Sequence, residues 1–325
     1  MKRLARAVGA AALALMVAAS PARAAVDPNL PEYTPVPGIS GTLISVGSDT
    51  MNNMMTLWGE AFRKYYPNVR IEVEGKGSGT APPALIAGTA QLGPMSREML
   101  PAEIDAFEAK FGYPPTLFHV GIDALAVYVH KENPLPGLTI QQLDAIFSQT
   151  RRCGALAALN TWGSLGLGGE WASRPISLYG RNSASGTYGF FKENALCGGD
   201  FKATVKEQPG SAAVVQGVGV DRYGIGYSGI GYRTSEVRVV PLAGESGAPF
   251  VDPTDPENVV SGAYPLARFL HIYVNKAPGQ PLSPLVREFI RFIFSREGQA
   301  VVEKDGYISL PAEYAGAEAA KALGP

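Results

Sequence analysis

Seven consecutive residues carry the strongest chemical signal in this chain. They are Arg181-Asn182-Ser183-Ala184-Ser185-Gly186-Thr187, set between a short apolar strand at 176–179 and an aromatic helix opening at Tyr188. If Ser185 caps that helix, the amides of Gly186 and Thr187 fall in the first turn, where no intrahelical acceptor reaches them. Such a helix start, with a hydroxyl and a forked guanidinium beside it, can hold a small anion. Read blandly, the same residues are a capped turn and nothing more. Three other loops repeat the chemistry: Gly47-Ser48-Asp49-Thr50-Met51, Gly77-Ser78-Gly79-Thr80 and Ser96-Arg97-Glu98. In the second of these, Pro82 and Pro83 have no amide hydrogen, so the free donors are expected on Gly79, Thr80 and Ala81. Arg97 has three readings: direct contact with the anion, an ion pair with Glu98, or an ion pair with Asp123. Six charge-assisted hydrogen bonds at roughly 1.5–3 kcal/mol each exceed the ~8 kcal/mol of micromolar binding, so such a site works without a metal or cofactor.

These loops need a scaffold that brings them together. After a Pro- and Gly-rich lead-in (25–40), short apolar strands alternate with helical patterns, which predicts an α/β architecture. The spacing predicts a strand at 42–46, a helix over 51–66 stopped by Pro67, strands at 69–73 and 91–94, and a helix opened by Ser96-Arg97-Glu98. Two long apolar stretches, 117–130 and 264–274, read as hinge strands between two lobes. The last helical stretch, 283–307, is expected to return to the first lobe. Trp162 and Trp171 bracket a Gly-rich stretch expected at the surface, and Trp58, Tyr65 and Tyr66 a core-facing helix stripe.

Composition narrows the function classes. Residues 1–24 have the basic start, short apolar run and Ala22-Arg23-Ala24 exit of a secretory signal peptide. Removing Lys2, Arg3, Arg6 and Arg23 with that leader leaves 24 basic residues against 29 acidic ones, a formal charge of −5. That balance argues against a nucleic-acid partner, whose phosphates demand a basic surface. An exported chain can pair its two cysteines, Cys153 and Cys197, as a disulfide; the other reading is two separate buried thiols. Enzymatic signatures are missing. His119, His130 and His271 each lie in or beside an apolar strand, there is no G-x-S-x-G elbow, and no H-E-x-x-H motif occurs.

On these loops the chain resembles the periplasmic phosphate-binding components of phosphate ABC transporters, over nearly all of the mature sequence. The resemblance is carried by VGSDTM (46–51), GSGT (77–80), IAGTAQLG (86–93), SRE (96–98) and HVGIDALAVYVHKENP (119–134). It continues through LTIQQLDAIF (138–147), RNSASGT (181–187), YGIGYSG (223–229) and YPLARFLHIYVN (264–275). It implies a two-lobed, type II periplasmic-binding-protein fold that closes on its ligand like a flytrap. Lobe 1 is expected to span 25–121 with 269–325, and lobe 2 to span 122–268. It implies inorganic phosphate held by Thr50, Met51, Ser78, Arg181, Ser185, Gly186 and Thr187. Ser48 and Thr80 join that set on the physical argument above. Many relatives carry an Asp where this chain has Arg97, and that carboxylate reads the proton of hydrogen phosphate, which Arg97 cannot do. Sulfate, molybdate or tungstate is the alternative ligand class, and a phosphatase-like enzyme on the same scaffold a further one. The resemblance also implies a monomer in the periplasm that delivers its anion to a membrane permease.

Overall fold

The computed structural model describes residues 26–323, so the leader expected at 1–24 lies outside the described residues. β1 (Gly41–Val46) and β2 (Val69–Glu74) pair in parallel, Leu43 opposite Ile71, with α1 (Asn52–Arg63) crossing between them. α1 buries Met54, Met55, Trp58 and Phe62, one apolar stripe at helical spacing, and the Trp58 indole donates to the Gly298 carbonyl at 2.7 Å. α2 (Ala81–Ala87) and β3 (Gly93–Met95) follow. α3 runs over Pro101–Phe111, so Ser96-Arg97-Glu98 does not open a helix as its pattern suggested. Pro101 takes the first helical turn and Glu103 accepts the Leu100 amide at 2.7 Å, which leaves 96–100 as a turn that buries Ser96.

β4 (Thr116–His130) is a single strand of 15 residues. Beyond it come β5 (Leu138–Thr139) and α4 (Ile140–Phe147), whose Thr139 and Gln142 form a capping box. The Gly-rich stretch folds as two 3₁₀ turns that leave Ser164, Gly166, Gly168 and Gly169 exposed, as expected, while the flanking Trp162 and Trp171 turn inward with rings 5.9 Å apart. The chain continues through β6 (Ser177–Arg181), α5 (Gly186–Ala195), β7 (Lys206–Gln208), α6 (Ser211–Val220) and β8 (Gly224–Gly229). It then forms β9 (Val237–Val239), β10 (Leu242–Ala243), α7 (Pro256–Val260) and β11 (Ala267–Val274). The last stretch divides into α8 (Pro284–Ile293), α9 (Arg296–Lys304) and α10 (Ala312–Leu323). Ser295 interrupts what read as one helix: its hydroxyl accepts the Gly298 amide at 3.2 Å and so starts α9 afresh.

The main sheet has the order β3-β11-β4-β8-β6-β7, with β9 also against β4. The first half of β4 pairs antiparallel with β11, Thr116 opposite Val274 through Ala124 opposite Ala267, and the second half pairs with β8. One hydrophobic core gathers Trp58, Phe62, Phe118, Val120, Leu270, Ile272, Phe289 and Phe292. A second gathers Ala124, Val127, Phe147, Trp162, Phe191, Tyr227 and Leu266. The two long strands therefore pass from one core to the other, between Val120 and Ala124 on β4 and between Leu266, just before β11, and Leu270 within it. This is the two-lobed α/β architecture with extended crossings that the apolar stretches implied. Cys153 and Cys197 are paired with Cα atoms 5.3 Å apart, and closing a loop of 44 residues contributes up to about 4 kcal/mol through the unfolded chain.

His271 on β11 is buried beside His119 of β4, their rings 5.2 Å apart. Burial, then His119 and Arg268, push its imidazole down from 6.5 to about 3, against a smaller opposing effect of Glu318. The folded chain keeps His271 neutral while the unfolded chain takes up a proton below pH 6.5, so stability falls with pH between 6.5 and 3. By pH 4.5 the expected loss is about 2–3 kcal/mol. Thermal melts of His271→Gln across that range should show a shallower acid limb; identical limbs in both proteins would contradict the assignment.

Candidate anion-binding site

The loops singled out in the sequence meet between the two cores. After β1, the Ser48 amide donates to the Pro94 carbonyl at 2.7 Å and Met51 is buried at the head of α1. The Ser48 hydroxyl is buried with no partner among the described residues. The Thr50 hydroxyl lies 2.8 Å from that of Thr187, which belongs to the other half of the molecule.

The second loop differs from expectation. The Gly79 amide donates to the Ala184 carbonyl at 3.0 Å, and the Thr80 amide and hydroxyl both donate to the Gly77 carbonyl, at 3.0 and 2.8 Å. The Ala81 amide is taken by the Ser78 carbonyl. The three amides expected to be free are thus engaged, those of Thr80 and Ala81 because residues 78–80 wind into a 3₁₀ turn and that of Gly79 by the opposite half of the molecule. What the loop offers is Ser78, fully buried, whose hydroxyl oxygen accepts the Ser96 amide at 3.0 Å. Gly77 has φ +125°, and a Cβ there would press on the Ala184 carbonyl, so only glycine suits this approach of the two halves.

From the opposite side, Ser185 caps α5 as expected, its hydroxyl accepting the Tyr188 amide at 3.3 Å. Gly186 faces the hydroxyls of Ser78 and Ser96 so closely that any Cβ would collide with them. The Thr187 hydroxyl oxygen accepts Arg268 Nη2 at 3.0 Å. In Ser78, Ser185 and Thr187 alike, the oxygen already receives a proton from an amide or a guanidinium. Ser78 and Ser185 can each offer their own proton to a further acceptor, and the Thr50–Thr187 hydroxyl pair, which uses one proton internally, can offer its other; an oxyanion is such an acceptor.

Three arginines surround this point, each held by a carboxylate. Arg181, 2% exposed, donates Nη1 to Asp49 Oδ2 at 2.9 Å and to Ser211 Oγ at 2.8 Å, while its buried Nε has no acceptor among the described residues. Arg268 is bidentate on Asp123 at 2.9 and 2.7 Å and also reaches the Ser96 carbonyl at 2.8 Å. Arg97 pairs with neither Glu98 nor Asp123 through a carboxylate: Nη1 and Nη2 both grip Glu103, at 2.8 and 2.7 Å, and Nη1 also meets the Glu98 carbonyl. Its charge is spent on α3, whose first turn presents Glu103. An anion placed here would therefore be held by directed donors in a site whose formal charges are already balanced.

Sequence reasoning missed Asp49, Ser96, Ser211 and the Asp123–Arg268 pair. Asp123 and Arg268 did leave a signal, since a charge inside a long apolar strand must find a partner when buried. They face each other directly in the β4–β11 register. Among the described residues no group of three His, Cys, Asp or Glu comes together as a metal site, and no helix is long and apolar enough to cross a membrane.

Comparison with known proteins agrees with the two-lobed α/β fold. The model of the PBP superfamily domain matches residues 33–297. A Pseudomonas aeruginosa protein named phosphate-binding protein PstS is 58% identical over 308 residues, 95% of each chain. A Clostridium perfringens structure, described as a phosphate ABC transporter substrate-binding protein with bound phosphate, superposes with a TM-score of 0.70 at 26% identity, over 83% of this chain and 100% of that one. An ABC-type phosphate transport receptor from Vibrio cholerae shares the fold with a TM-score of 0.62 at 22% identity, over 82% of this chain and 100% of that one. With a superfamily match across most of its length and near end-to-end likeness to a named PstS, the chain belongs to the PstS phosphate-binding proteins of the PBP superfamily.

Proposed function

We propose that this chain captures inorganic phosphate between its two lobes in the periplasm and hands it, unreacted and as a monomer, to the permease of an ABC transporter. The observation that carries the reading is the convergence of Thr50, Ser78 and Ser96 from one lobe on Gly186 and Thr187 of the other. In the proposed division, residues 25–121 with 269–325 form lobe 1 and 122–268 form lobe 2. The proposed donors are the hydroxyls of Ser48, Thr50, Ser78, Ser185 and Thr187, the first-turn amides at Met51, Gly186 and Thr187, and Arg181 through its unpartnered Nε. Thr80 and Arg97 are left out, because the donor atoms of Thr80 hold Gly77 and the terminal nitrogens of Arg97 hold Glu103. Export through the leader at 1–24 fits a disulfide-bonded chain.

Isothermal titration of the mature protein against phosphate, sulfate, molybdate and tungstate tests this. Phosphate should bind with a micromolar or tighter Kd and the others more weakly. A preference for sulfate would move the chain to another oxyanion, and absence of heat with all four would end the reading. Hydrolysis of a chromogenic phosphate ester would turn the scaffold into an enzyme.

A further inference from the structure

The Asp49 carboxylate has an unusual position. It stems from the loop after β1, on the side of Trp58 and Phe62, yet its Oδ2 accepts Arg181 Nη1 at 2.9 Å and the Ser211 amide at 2.7 Å, both from the opposite side. Ser211 opens α6, so the carboxylate sits at a helix start where an anion is favoured. The backbone of the same loop is gripped as well: the Tyr232 hydroxyl donates to the Asp49 carbonyl at 3.0 Å, and Tyr307 to the Thr50 carbonyl at 2.8 Å. The guanidinium is thereby fixed by Asp49 and Ser211 through Nη1 and by the Pro209 carbonyl, 3.4 Å from Nη2, which leaves Nε buried and without an acceptor among the described residues.

We propose that Asp49 is a positioning residue of the binding site, a latch that aims Arg181 at the anion only when the lobes are closed. The inference rests on the phosphate-binding reading above. Two opposite consequences of an acidic group beside a cationic anion donor are in competition. If Asp49 merely neutralised Arg181, removing it would tighten binding. If it holds the closed arrangement, removing it speeds release while hardly touching capture, since capture begins from open lobes in which Asp49 and Arg181 are apart.

Release of radiolabelled phosphate into excess unlabelled phosphate separates the two, with Asp49→Ala and the shape-preserving Asp49→Asn compared with the unaltered mature protein. Expected are a release rate raised about tenfold or more in Asp49→Ala, a smaller rise in Asp49→Asn, and an association rate changed less than threefold. Tyr232→Phe, which removes only the hydroxyl that grips the Asp49 carbonyl from the turn after β8, should shift release in the same direction. Thermal melting without ligand confirms that the variants are folded. Unchanged release, tighter binding, or a loss confined to association would each overturn the latch while leaving phosphate binding intact. Failure of the unaltered protein to retain phosphate would instead overturn the binding reading, and the latch with it.

Discussion

Arg181→Ala should weaken phosphate binding by a factor of about 100 or more, with the fold preserved. Removing one member of a buried, hydrogen-bonded charge pair typically costs 2–5 kcal/mol, much of it the penalty of stranding the group left behind. Here the substitution strands two groups. The anion loses a buried guanidinium nitrogen that has no acceptor among the described residues, and Asp49, which Arg181 now neutralises, would face the ligand as a bare carboxylate at the start of α6. The side chain lies at the end of β6 and projects between the lobes, so secondary structure has little reason to change. Titration calorimetry provides the measurement, with thermal melting to show that the variant is folded. An affinity within a factor of three of the unaltered protein would mean that the guanidinium does not touch the anion.

Arg268→Leu should cost about 3–5 kcal/mol of folding stability, because it leaves a buried charge without its partner. Asp123 is 0% exposed, and apart from Arg268 it accepts the Ile230 amide at 3.0 Å. The lost guanidinium also served the Ser96 carbonyl and the Thr187 hydroxyl, and it lies over the Phe190 ring with 5.2 Å from guanidinium carbon to centroid. One side chain thus ties both strand crossings to both halves of the site. Urea unfolding gives the number, and the double variant Asp123→Leu/Arg268→Leu tests its origin. Apolar replacement of both members of a buried pair is often neutral, so the double variant should recover much of the loss. A single variant that loses less than about 1 kcal/mol would show that the pair is not what holds the crossings together.

The α/β character, the core stripe of α1, the cap of Ser185 and the long crossing strands were all legible in the sequence. Each follows from local periodicity or from the chemistry of a few neighbouring residues: Met54, Met55, Trp58 and Phe62 face one way on any helix, and Ser185 can cap only the helix that follows it. What stayed hidden was every choice between donors. Nothing local tells that the Gly79 amide will meet Ala184, 105 positions away, or that Glu103 instead of an anion will take the fork of Arg97. The same holds for Trp162 and Trp171, which flank a surface loop although their rings join the second core. Hydrogen-bond partners compete over long sequence separations, and geometry at the level of an ångström decides which acceptor wins. Residue types therefore determined that an anion site could be built from Arg181 and the serines and threonines of four loops, while the packing of two lobes decided which of their protons remain to be shared.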